Sequence, residues 1–142
     1  MNLLLAIKTL RVVPVFFLFC VFVSALFYPG GNIHDPGQEG YSFTHNFLSD
    51  LGGYSSHSSE QNFLSNFFFN MSMFVFALVG IAFLWIPQLF RDNTLNWYLS
   101  CLGSFFLFIG TLFFAGVGLT PYDLYLDIHI FFALNAFRLM VP

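Results

Sequence analysis

The residues with chemical capacity gather in two stretches. One is Tyr41–Gly53, YSFTHNFLSDLGG, which holds His45, Ser49 and Asp50. The other is Thr120–His129, TPYDLYLDIH, which holds Asp123, Asp127 and His129. Imidazoles and carboxylates together form a ligand set that suits zinc, and bound zinc would activate water for hydrolysis. Asp50, Asp123 and His129 are the side chains that would serve such a site as ligands or general base. Helix geometry limits how many converge. In a regular helix from Pro121, Asp123 and Asp127 share a face, but His129 is turned roughly 200° from Asp127. His45 and Asp50 sit at opposite edges of their own polar arc. The subset able to meet is Asp50 with either His129 or the Asp123/Asp127 pair. The chain has no HExxH, no finger-spaced Cys/His cluster, no GxSxG and no phosphate-binding glycine loop. Zinc is therefore the only cofactor these residues suggest, and none is assigned.

Each of these residues also has a plain structural role. Asp50 suits a turn in which it accepts backbone amides, with Gly52 and Gly53 supplying backbone freedom. Asp123 suits a helix N-terminus, and His129 an interface where a carbonyl satisfies it. His34 and His57 read as solvated loop residues. A third polar set, Asn62, Asn66 and Asn70, recurs every four residues and forms a stripe on one helix face. Buried amides in lipid need partners, so the stripe should face another helix or the polar loop, either as glue between elements or as lining for the cluster.

The elements that must position these groups are hydrophobic helices. Hydrophobic residues make up 58% of the chain and charged residues 8%, against about 25% charged in a soluble domain. Lipid, not water, must face most of the surface. The expected fold is an all-α integral membrane helical bundle of one domain, residues 1–142. Its expected spans are about 10–28, 63–86, 97–119 and 121–141, at about 20 residues per crossing, with a polar loop over 29–62. Inside the loop, Thr44 is placed to cap a short amphipathic helix, His45–Leu51, ended by Gly52 in the left-handed conformation. Phe43, Phe47, Leu48 and Leu51 form its apolar arc. Gly53–Glu60 reads as mobile loop. Small residues in the third span (Ser100, Gly103, Ser104, Gly110, Thr111) suit close helix packing. The fourth helix has two candidate starts: Pro121, after a Thr120 cap, or a shorter version capped by Asp127. The first is favoured because it is long enough to cross.

Charge placement orients the chain. Lys8 and Arg11 precede the first span, Arg91 follows the second, and Arg138 lies near the end of the fourth. The positive-inside rule makes that side cytoplasmic, with both termini there, in a cell (inner or plasma) membrane. Asp35, Glu39, Asp50, Glu60, Asp123 and Asp127 fall on the other side, as do all the histidines. Val23-Ser24-Ala25 also suits a signal-peptidase site, so the first segment has a cleavable signal peptide as its rival reading. Cys20 and Cys101 fall inside spans and read as small apolar residues. There is no basic patch, which excludes nucleic acid as a partner.

Three motifs carry a family resemblance: NFLSDLG at Asn46–Gly52, FNMS at Phe69–Ser72, and GLTPYD at Gly118–Asp123 followed by His129. With these the chain resembles the multi-pass membrane family called domain of unknown function 998, and more remotely the Frag1/DRAM-type membrane proteins. The resemblance implies a helical bundle with a polar non-cytoplasmic loop and no assigned reaction. It also implies more spans than this chain has room for, so the chain is expected to be a short member or a piece of a longer bundle. The functional expectation is a polar outer-face cluster that binds a lipid headgroup, a small ligand or another membrane protein. The alternative is a metal-assisted intramembrane hydrolase or transferase acting on lipid headgroups.

Overall fold

The computed structural model describes residues 1–141. Four α-helices carry the fold: α1 (Leu3–Phe27), α2 (Phe63–Phe83), α3 (Thr94–Leu119) and α4 (Leu126–Met140). Among the described residues the only β structure is two isolated bridges, Gly30 with Glu39 and Ser55 with Gln61. α1, α2 with the turn that follows it, and α3 are long and apolar enough to cross a membrane.

Local chemistry sets the ends of these helices. Asn2 starts α1 by accepting Leu5 N at 2.9 Å, so the helix begins well before the apolar run at Val12. Asn93 starts α3 in the same way, accepting Asn96 N at 3.1 Å. α2 stops at Phe83 rather than at Ile86; a 3-10 turn, Ile86–Phe90, follows with Pro87 inside it. α4 departs most from expectation. It begins at Leu126, after Tyr125, and Pro121–Tyr125 is a turn closed by Leu124 N and Tyr125 N on Pro121 O. Its 15 residues rise about 22 Å at 1.5 Å each, short of a hydrocarbon core of about 30 Å. The helix expected over 121–141 is thus formed only over Leu126–Met140, and α4 is not among the helices long and apolar enough to cross.

The helices pack in sequence order, α1 on α2, α2 on α3 and α3 on α4. Phe17, Phe76 and Phe114 bring α1, α2 and α3 together, with ring centroids 5.2–5.7 Å apart. Backbones approach closely at glycines. A Cβ on Gly118 would lie 2.8 Å from Met73 Cβ, and one on Gly116 would lie 2.7 Å from Phe132 Cε1. Among the small residues expected to pack, Ser104, Gly110 and Thr111 are buried. Gly103 is not at an interface, since its Cβ would meet open space. Ser24, the middle residue of the candidate cleavage site, is fully buried and donates to Ser65 O at 2.7 Å. Its small size serves the α1–α2 contact.

One end of the bundle carries Lys8, Arg11 and Arg91. Residues 28–62 and the α3–α4 turn cover the other end. Leu51 sits there, fully buried in the core cluster with Tyr28, Phe69, Met73 and Val117.

Candidate functional site

The loop helix expected over His45–Leu51 is replaced by a 3-10 turn, Leu48–Gly52. Asp50 is the cause. Its Oδ2 accepts Phe47 N at 3.0 Å and Asn46 Nδ2 at 2.9 Å. This pins the residues ahead of the turn and leaves Thr44 no capping role. Thr44 bonds His45 Nδ1 instead, at 2.8 Å, and His45 stays exposed at the loop surface. Gly52 is not left-handed. It is needed for close approach, since a Cβ there would lie 2.7 Å from both Asn70 Oδ1 and Phe69 Cδ1.

The asparagine stripe faces this turn and binds its carbonyls. Asn62 Nδ2 donates to Asp50 O, Leu51 O and Gly53 O at 3.3, 3.1 and 3.0 Å. Asn66 Nδ2 reaches Gly52 O (2.7 Å) and Gly53 O (3.1 Å), and Asn70 Nδ2 reaches Gly52 O (3.1 Å). Ser65 Oγ adds a bond to Leu51 O at 3.0 Å. A turn with its carbonyls directed into the bundle would otherwise leave them unsatisfied. The stripe is thus glue between helix and loop. Asn62 Oδ1 is buried without a partner among the described residues.

Asp50 is 2% exposed, and its second oxygen faces a histidine of the Gly53–Glu60 segment. His57 Nε2 lies 3.4 Å from Asp50 Oδ1 and 3.3 Å from the Tyr122 hydroxyl. His57 is therefore not a solvated loop residue, and Gly53–Glu60 is not a free loop. His57 N donates to the Tyr28 hydroxyl, which donates in turn to Gly31 O, both at 3.3 Å. Asp123, expected as a helix cap, instead accepts Tyr54 N and Ser55 N, each at 2.9 Å. It ties the loop to the end of α3. Tyr28, Tyr41 and Tyr122 surround the buried carboxylate. Burial, with the Asp50 charge adding to it, pushes the Tyr41 hydroxyl up to about 12. Tyr122 is pushed up for the same two reasons, with Tyr28 and Asp123 adding to them. Tyr28 is also raised, burial outweighing the His57 N–H that favours its ionised form.

The expected cluster therefore divides. Asp50, Asn66 and Asn70 meet in the cap. Asp123 joins it from the α3 end through backbone amides. His45 lies apart at the surface, and Asp127 is exposed in the first turn of α4. His129 is buried, with Nδ1 2.6 Å from Thr120 O, the carbonyl partner expected of an interfacial histidine. Among the described residues no three His, Cys, Asp or Glu side chains are grouped to hold a metal. Asp50, Asp123 and His129 each have separate protein partners. Cys20 and Cys101 are free.

Beside the cap lies a cleft of about 200 Å³ between the turn, α2, α3 and α4. Phe69, Met73, Phe114, Val117, Ala133 and Phe137 form most of its wall. Among the described residues that line it, Ser49 and His129 are the polar ones. Asp50 and His57 are committed to holding the cap, whereas Ser49 and His129 face space that a ligand could fill.

No family model, curated protein or solved structure matches the chain. The resemblance to the family of domain of unknown function 998 rests on the quoted motifs alone.

Proposed function

We propose that this is a multi-pass integral membrane protein that binds a lipid at the non-cytoplasmic surface of the cell membrane. The polar cap sits at the water interface, and the acyl chain enters the cleft between α2, α3 and α4. Lys8, Arg11 and Arg91 mark the cytoplasmic end of the bundle. The observation that carries the reading is the cleft itself. It is an apolar slot within a lipid-facing bundle, with its polar side chains confined to Ser49 and His129. Ligand sites combine an apolar wall with a few placed polar groups in this way.

The test uses protein reconstituted in vesicles containing a phospholipid with a photoactivatable group along one chain. Peptides bearing Phe69–Met73 and Phe114–Val117 should be labelled, and Ala133→Phe, which fills the slot, should reduce that labelling. Labelling confined to the outer faces of α1 and α3, and unchanged by Ala133→Phe, refutes lipid binding in the cleft.

A further inference from the structure

The Leu48–Gly52 turn sits lower in the bundle than a loop joining two helix ends needs to. Its partners on α2 show the depth. Gly52 O accepts Asn70 Nδ2 at 3.1 Å, and a Cβ on Gly52 would lie 2.7 Å from Phe69 Cδ1. Leu51 is fully buried in one cluster with Phe69, Met73 and Val117. Phe47, Leu48 and Ser49 line one cleft with Phe69 and Met73. Phe69, Asn70 and Met73 lie six, seven and ten residues past Phe63, where α2 begins. The turn is therefore packed against a stretch about 9–15 Å along the helix axis, at 1.5 Å per residue.

That level falls inside the hydrocarbon layer. The 21 residues of α2 from Phe63 to Phe83 rise about 32 Å, which matches a core of about 30 Å. α1 agrees. Its Ser24 Oγ meets Ser65 O at 2.7 Å, so the two helices end close to one level. The sixteen residues from Val12, just after Arg11, to Phe27 rise only about 24 Å. The apolar belt thus reaches the ends of both helices, and the turn lies below them.

The turn is also inside out for water. Asp50 is 2% exposed, whereas Phe47 is 63% and Leu48 47% exposed; in water a carboxylate faces out and a phenylalanine in. The carbonyls from Asp50 to Gly53 are bonded by Asn62, Ser65, Asn66 and Asn70. Non-helical backbone is tolerated at membrane depth when protein satisfies it in this way. Phe137 of α4 borders the same cleft as Phe47 and Leu48 and is 65% exposed. The bare apolar surface of the turn is therefore continuous with that of a bundle helix. We propose that Leu48–Gly52 is a re-entrant turn lying below the bilayer surface, with Phe47 and Leu48 against acyl chains of the adjoining leaflet. This rests on the membrane reading above and is independent of a lipid held in the cleft.

The test places a bimane dye on single cysteines in a Cys20→Ala/Cys101→Ala background, reconstituted in phosphatidylcholine vesicles. Leu48→Cys reports the turn. Leu102→Cys, exposed on α3, reports the lipid face of the bundle, and Glu39→Cys, exposed in the loop, reports the water side. Phosphatidylcholine brominated along its acyl chains quenches a dye in the hydrocarbon, and iodide on both sides of the vesicle quenches a dye in water. Leu48 is exposed, so its substitution keeps the fold, checked by an unchanged melting midpoint. The Leu48 dye should be quenched by brominated lipid nearly as strongly as the Leu102 dye, and by iodide several-fold less than the Glu39 dye. Iodide quenching equal to that at Glu39 overturns the re-entrant placement and leaves photolabelling of the cleft as a separate question. A Leu48 dye that neither agent quenches, because a second copy or another protein covers the turn, overturns the acyl contact. Loss of brominated-lipid quenching at Leu102 as well removes the membrane reading itself.

Discussion

Asp50→Asn tests whether the buried carboxylate builds the cap. The substitution keeps the shape and one acceptor oxygen and removes the charge. In the native turn Oδ2 accepts two hydrogen bonds, from Phe47 N at 3.0 Å and Asn46 Nδ2 at 2.9 Å. A bond to a charged group contributes about 1.5–3 kcal/mol and a neutral one about 0.5–1.5 kcal/mol. Downgrading two bonds therefore costs roughly 2–3 kcal/mol. For a chain of this size each kcal/mol moves the melting midpoint by about 2–4 °C, so the midpoint should fall by about 4–12 °C. The assay is thermal unfolding of the detergent-solubilised protein, run beside limited proteolysis. Cleavage should appear first between Gly53 and Glu60, because the amide of an asparagine at position 50 would replace the oxygen that faces His57 Nε2. Asp50→Ala should lower the midpoint further. An unchanged midpoint with an unchanged cleavage pattern would refute the assignment of Asp50 as the keystone of the cap.

Three further outcomes follow from the same geometry. Asn62→Ala should cost only about 1 kcal/mol, because each carbonyl it serves keeps another donor: Gly53 N, Ser65 Oγ or Asn66 Nδ2. Adding Asn66→Ala strips Gly53 O of both amides, so a double-mutant cycle by chemical denaturation should show a loss greater than the sum. Gly52→Ala should destabilise by about 1–3 kcal/mol through overpacking against α2, whereas Gly103→Ala, facing open space, should stabilise by about 0.5–1 kcal/mol; paired melting curves distinguish them. In an alkaline titration followed by tyrosinate absorbance, Tyr41 should stay neutral in the folded protein until about pH 12. The unfolded chain ionises near pH 10, so the stability Tyr41 contributes is intact below that and is lost as pH rises toward 12. Asp50→Asn should bring the folded transition to lower pH.

The long hydrophobic runs made three of the helices readable, because their apolar stretches exceed any plausible core helix. The asparagine stripe was also readable in part. Its four-residue repeat fixed one face, and the demand for partners in an apolar setting pointed that face at the polar loop. The turn itself was misjudged because Asn46 and Asp50 sit at helical spacing, and only the Asp50 bond to Phe47 N shows that this carboxylate closes a tighter turn. The start of α4 was misjudged because Thr-Pro-Tyr-Asp has the local form of a helix opening, while Asp123 is drawn off to Tyr54 and Ser55, far earlier in the chain. His57 was missed outright. GYSSHSSE has no periodicity, and the partners that capture His57, Tyr28 and Tyr122, lie at the ends of other helices. The aromatic residues ending α1 and following α3 were the available signal.

The long-range bonds of Asp123 bear on how the chain is made. The two amides it holds precede it by 69 and 68 residues. At roughly 5–20 residues per second, a ribosome needs about 3–14 seconds to cover that distance. During that interval α2 can already engage the Leu48–Gly52 turn, but the far side of the lid has nothing to fasten to. Closure over that end of the bundle thus becomes a late event in biogenesis. A nascent chain stalled before α3 is complete would leave that segment open to any protease that reaches it.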